Sequence, residues 1–170
     1  MPGDRASRLP GDDRGARVTL PSEREILIVR RFAAPRAAVF DAWTSPEHVT
    51  QWWDPSREPL AACDIDLRPN GRFRFVPGGG KPAFTGVYRE IVRPERLVFS
   101  TVVAPSGAET VGTLRFDADG RHTILRLTMT CASQSDRDAL LEMRVDAGTV
   151  RTLENLGDYL ERAASGPASS

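Results

Sequence analysis

The chain has 170 residues, a length that fits one domain and buries a core without metal or disulfide staples. Its 23 basic and 23 acidic residues balance to a formal net charge of +0, which gives no global attraction to nucleic acid or to an anionic membrane. No apolar run reaches membrane-spanning length, and "MPGDRASRLPGDDRGARV" lacks the apolar stretch of a secretory signal. The expected compartment is therefore the cytoplasm, where Cys63 and Cys131 are expected as buried thiols and not as a disulfide.

Residues 1–22 are rich in Gly, Pro, Arg and Asp, show no apolar period and are expected to be a disordered tail. The domain is expected over 23–164, with "SGPASS" at 165–170 as a second disordered end. "REILIVRRF" (24–32) reads as a strand. In "APRAAVFDAW" Pro35 suits a first helical turn, and Val39, Phe40 and Trp43 share one face. "SPEHVTQWW" restarts a helix, with Ser45 as N-cap, Pro46 at N1 and Glu47 at the positive end. All three tryptophans thus fall within residues 43–53. Trp43 and one of the adjacent pair Trp52 and Trp53 should anchor the helices. The other should sit at a cavity mouth or be partly exposed, because helical neighbours lie about 100° apart.

Strands follow in hairpins. "LAACDIDLRPNGRFRFV" is split by Pro69-Asn70-Gly71, with Ala61, Cys63, Ile65 and Leu67 on one face and Asp64 and Asp66 on the other. "FTGVYREIVRPERLVFSTVV" turns at Arg93-Pro94-Glu95, and "TVGTLRFDADGRHTILRLTMTC" at Asp119-Gly120. In the last of these Thr123, Leu125, Leu127 and Met129 share a face. Short turns between consecutive strands predict an antiparallel meander. From Ser135 to about Ala164 the period changes: Leu140, Met143, Ala147, Val150, Leu153, Leu156 and Leu160 form the stripe of one long helix, with Gly148 inside it. One apolar helix stripe and one curved sheet must bury each other, so the helix should lie across the sheet.

The pieces "APRAAVFDAWTSPEHVTQWW", "CDIDLRPNGRFRF", "FTGVYREIVRPERLVF" and "ALLEM", in this order, resemble the activator of heat-shock-protein-90 ATPase homologue family. That family lies within the START-like, birch-pollen-allergen-like helix-grip superfamily (SRPBCC), and the resemblance covers about residues 24–163. It implies an α+β helix-grip fold: a curved antiparallel sheet wrapped around a long C-terminal helix, two short helices after the first strand, and a cavity between sheet and helix. It also implies a choice of roles: co-chaperone action in eukaryotic members, binding of lipids, sterols or hormones in distant relatives, and polyketide cyclisation in others. Members often carry Gly-Trp in the last helix. Gly148-Thr149 here implies a roomier or more polar pocket, or a compensating residue elsewhere.

Catalytic and cofactor motifs are scarce. "PGGGKP" (77–82) lacks the phosphate-loop spacing, and Pro82 stands where a hydroxyl residue is needed. His48 and His122 are the only histidines and are not closely spaced, so no metal is expected. There is no Gly-x-Ser-x-Gly elbow, and Cys63 would act as a nucleophile only with His122 beside it. No cofactor is expected.

The function expected is binding of a hydrophobic or amphipathic small molecule, with Trp43, Trp53, Phe75, Phe84, Tyr88, Phe99, Met129, Leu140 and Met143 lining the cavity. Tyr88 and Glu90 are the polar candidates for orienting a ligand. A cyclase, dehydratase or hydrolase acting on a polyketide-like or aromatic substrate is the enzymatic alternative. It would use Tyr88 or a carboxylate such as Glu90, Asp64 or Asp66, which otherwise pair with arginines across strands. The third alternative is an interaction module, a homodimer or chaperone partner, using an exposed patch around Trp52.

Overall fold

The computed structural model describes residues 15–103 and 107–166, so the ends expected at 1–14 and 167–170 lie outside the described residues. The elements in chain order are β1 (Arg17–Thr19), β2 (Glu25–Phe32), α1 (Arg36–Thr44), α2 (Pro46–Trp52), β3 (Ala62–Ile65), β4 (Arg72–Val76), β5 (Phe84–Val92), β6 (Arg96–Val103), β7 (Ala108–Asp119), β8 (His122–Cys131), α3 (Gln134–Glu142) and α4 (Val145–Ser165). The strands form one curved, unclosed sheet in the order β1-β2-β8-β7-β6-β5-β4-β3, and every pairing is antiparallel. This is the helix-grip α+β architecture, with α4 across the sheet.

Local chemistry accounts for the elements. β2 and β8 alternate buried and half-buried positions without a break, as strands with one face on a core must. Ile26, Ile28, Phe32, Leu125 and Leu127 supply the sheet side of the core, and Leu153, Leu156 and Leu160 of α4 the helix side. α1 lays Phe40 edge-on against Phe116 of β7, centroids 5.3 Å apart. The α1–α2 corner is held by Trp52, whose indole donates to the Ala42 carbonyl at 3.1 Å and meets the Trp43 ring edge-on at 4.8 Å.

Three features depart from expectation. Part of the stretch assigned to the N-terminal tail is structured: Arg17–Thr19 pair with Leu27–Val29 as a short edge strand, a piece too brief to show a period. The long helix is two helices. Arg144 takes a left-handed backbone (φ 59°) and separates α3 from α4, while the apolar stripe runs on through the break. Trp52 is 1 % exposed, so the partner surface expected around it is core.

Candidate functional site

Between the inner sheet face and the helices lies a cavity of about 120 Å³. Trp43 and Trp53 close it from the α1–α2 corner, Phe84, Phe99 and Met129 line its sheet side, and Leu140 and Thr149 face it from α3 and α4. A second compartment of about 20 Å³ shares Trp43, Phe84 and Phe99 and is completed by Phe73, Phe75, Tyr88 and Leu97. The rings pack on one another: Trp53 stacks on Phe84 (5.3 Å, 29°) and meets Phe75 edge-on (5.5 Å), while Phe73 stands nearly perpendicular to Phe99 (5.5 Å, 87°).

Two glycines make room for these rings. A Cβ on Gly112 would lie 2.4 Å from the Phe99 ring, and one on Gly86 would lie 2.3 Å from the Phe73 ring. In the pleat these positions face Phe99 and Phe73 across neighbouring strands, so any side chain there would displace a wall of the cavity.

The wall is polar only through threonines, and their hydroxyl protons are committed to the protein. Thr101 donates to the Thr85 carbonyl (2.6 Å), Thr149 to the Val145 carbonyl (2.7 Å), and Thr152 is shared between the Trp53 and Gly148 carbonyls (3.1 and 3.0 Å). Thr110 bonds to the Cys131 thiol. The indole Nε1 of Trp43 is buried without an acceptor, on the ring shared by both compartments.

The Trp53 wall is braced from behind. Thr152 and Asn155 of α4 bond the Trp53 and Asp54 carbonyls, the latter at 2.9 Å. Asp54 is itself 2 % exposed. Burial alone would raise its carboxyl pKa, but the Ser56 amide and hydroxyl and the Lys81 ammonium outweigh that and hold it below the ordinary value. His48 Nδ1 shares a hydrogen bond with the Tyr159 hydroxyl, tying α2 to α4.

The structure brings Trp43, Trp53, Phe84, Phe99, Met129 and Leu140 together around the main cavity, and Phe75 and Tyr88 around the small compartment. It does not bring in Glu90 or Met143. Between Tyr88 and Glu90 the β5–β6 register slips by one residue, a bulge that turns Glu90 to the outer face, where it pairs with Arg96. Met143 caps α3 and is 45 % exposed. Asp66 pairs with Arg68 on the surface.

Cys63 is a free thiol on edge strand β3, with four strands between it and His122 at the start of β8. Burial, helped by the charge of Asp64, pushes its pKa up to about 11, which keeps it protonated and unreactive at neutral pH. Burial and the nearby Cys63 likewise raise Tyr88. Among the described residues, no three His, Cys, Asp or Glu side chains are placed to hold a metal ion.

Sequence pattern missed Thr101, Thr110, Gly112, Leu127, Val145 and Thr152 of the wall, while the family resemblance pointed to Thr149. Leu127 shares the inward face of Met129 and was within reach of alternation. Thr101, Thr110 and Thr152 carry no such signal.

Comparison with known families and structures agrees with this geometry. The family described as "Activator of Hsp90 ATPase homolog 1-like protein" matches residues 33–161. A protein of Rhodobacter sphaeroides is similar in structure at 23 % identity, with a TM-score of 0.78 over 86 % of this chain and 98 % of its own. A protein of Nitrosomonas europaea is similar at 21 % identity, with a TM-score of 0.76 over 86 % of this chain and 100 % of its own. CalU16 of Micromonospora echinospora is similar at 26 % identity, with a TM-score of 0.61 over 89 % of this chain and 85 % of its own. A comparison with curated proteins gives no match.

Proposed function

The chain belongs to the Activator of Hsp90 ATPase homolog 1-like family, and we propose on that premise that it binds a small hydrophobic molecule non-covalently between the sheet and α3–α4. The observation that carries this is the composition of the wall. Aromatic and aliphatic side chains surround a void, and the threonine hydroxyls among them donate to protein partners. A mostly apolar wall of this kind disfavours water and favours an apolar guest by about 25 cal/mol per Å² of apolar surface removed from water.

Binding is favoured over the cyclase-type alternative because the wall holds no carboxylate, imidazole or amine for proton transfer among the described residues. Glu90 lies outside, and burial raises the Tyr88 pKa, which makes its hydroxyl a weaker proton donor. The free thiols Cys63 and Cys131 suit a reducing compartment, and no helix among the described residues is long and apolar enough to cross a membrane. We place the protein in the cytoplasm.

Native mass spectrometry of protein purified from its own host tests the reading. The expected result is a reproducible extra mass that is released on denaturation and is absent from a Thr149→Trp variant, whose new ring fills the void. An extra mass retained in that variant would place the ligand elsewhere.

A further inference from the structure

We infer a second binding site, on the outer face of the sheet and independent of the cavity: an arginine-lined groove that takes a small ligand through a diphosphoryl group.

Strand register builds the groove. Phe73 and Phe75 of β4 turn inward, so Arg72 and Arg74 stand on the outer face. Two residues apart on one strand, they are separated by about 6.6 Å. Arg72 lies opposite Val87 of β5 and Arg74 opposite Thr85, which puts Arg89 diagonally across from Arg72. Arg89 is fixed on that face. Its Nε donates to Oγ of Ser100 at 3.0 Å, and Ser100, opposite Val87 on β6, is 6 % exposed. The three arginines border one open groove of about 460 Å³, together with Val87 and Val102.

Their charge is unanswered within the protein. Neither Arg72 nor Arg74 has a hydrogen bond, ion pair or ring contact among the described residues. Asp64 stands opposite Arg74 on β3 without bonding it, and Glu90 is taken by Arg96. Glu109 of β7 is the one carboxylate that borders the groove. Like charges on neighbouring positions of one sheet face repel, and an anion placed between them turns that repulsion into attraction.

Donor count and space set the class of anion. A guanidinium presents paired N–H donors that an oxyanion accepts two at a time. Three such groups call for six acceptor oxygens, the number at the two ends of a pyrophosphate ion, where one carboxylate brings two. The groove volume lies within the roughly 300–1,000 Å³ of small-molecule sites. Macromolecules are less well served. Phe73, the aromatic residue at this groove, is 4 % exposed, so the bases of a nucleic acid strand find no ring to stack on. A protein partner finds no aromatic anchor of the kind that carries an interface.

The test is a titration of the ¹⁵N-labelled full chain at constant ionic strength, following backbone amides. Three probes are used: inorganic pyrophosphate, orthophosphate, and a short single-stranded oligonucleotide without terminal phosphates. Pyrophosphate is expected to give saturable shifts grouped at residues 72–74, 85–89 and 100–102. Orthophosphate should bind roughly 10-fold more weakly, having fewer oxygens for the same forks. The oligonucleotide should also bind more weakly than pyrophosphate.

Arg72→Gln together with Arg74→Gln should weaken pyrophosphate binding by about 10-fold or more. Glu109→Gln should tighten it about 2- to 5-fold by removing one opposing charge at the groove, and it reads the same electrostatics if the arginine variant does not fold. Shifts that do not saturate or that centre elsewhere overturn the site. Equal binding of orthophosphate, or tighter binding of the oligonucleotide, overturns the diphosphoryl class. None of these outcomes bears on the cavity.

Discussion

Lys81, the single lysine of the chain, places its Nζ 3.2 Å from Oδ2 of the buried Asp54. The contact crosses from the glycine-rich β4–β5 loop to the turn after α2, beside Trp53 of the cavity wall. Asp54 Oδ1 also accepts from the Ser56 amide and hydroxyl, both at 2.9 Å. "PGGGKP" thus serves as a flexible strap that delivers one ammonium group to one buried carboxylate. Gly79 and Gly80, at φ 72° and 73°, supply the left-handed backbone that delivery requires.

Lys81→Met should therefore destabilise the fold at neutral pH. The Lys81 side chain is 51 % exposed, so screening limits the loss to about 1 kcal/mol. The Asp54 carboxyl is held below its ordinary value. Its stabilisation is complete above the unfolded-state pKa of about 3.9 and disappears as pH falls through the lower folded value. Denaturant midpoints of wild type and variant should differ at pH 7 and converge in strong acid. A gap that does not change with pH would contradict the pairing.

Thr149 faces the void from α4, in the position where the family resemblance leads one to expect tryptophan. Thr149→Trp should fill the cavity, leave the fold intact and abolish uptake of a small apolar probe such as benzene. Thermal melting together with a binding titration checks this: a folded variant that still binds would move the site elsewhere.

Gly112→Ala should act from the opposite wall. The new methyl would stand 2.4 Å from the Phe99 ring and drive it into the void, costing roughly 1–3 kcal/mol by overpacking and weakening ligand binding. Combining it with Phe99→Leu should restore much of the stability, measured by denaturant unfolding.

Arg30 illustrates a different tension. It sits on the inner face of β2 at 8 % exposure, with Nε and Nη1 lacking acceptors and its guanidinium 5.1 Å from the Phe32 ring centre. Burial lowers its pKa against the pull of Glu154, Asp158 and Glu161. Gly157 of α4 leaves space for it, since a Cβ there would lie 2.4 Å from Nη2. Arg30→Met should raise stability by about 1 kcal/mol. Gly157→Ala should be close to neutral in the wild type, where the clash is with the movable end of Arg30, and should stabilise by up to about 1 kcal/mol beside Arg30→Met. Additive effects in that double-mutant cycle would refute the steric coupling.

The sheet was legible because its signals are local. Pro69-Asn70-Gly71 and Asp119-Gly120 name their turns, and the period-2 run of Thr123, Leu125, Leu127 and Met129 names a face. Alternation failed at Glu90. Positions 88 and 90 share parity in a regular strand, but the bulge between Tyr88 and Glu90 reverses the face, so Tyr88 is buried and Glu90 is not. Periodicity failed at Met143 for a related reason: the left-handed Arg144 re-aims the helix without disturbing the spacing of apolar residues. Asn155 and Thr152 act through contacts about a hundred residues apart in sequence, with the Asp54 and Trp53 carbonyls. No local pattern announces them.

The most direct test of the central claim, a dry apolar cavity that accepts a guest between the sheet and α3–α4, is diffraction from crystals pressurised with xenon. The structure predicts xenon against Trp43, Phe99 and Leu140, with no ordered water in the void. Ordered waters bonded to Thr101, Thr110, Thr149 or Thr152, and no xenon, would contradict it.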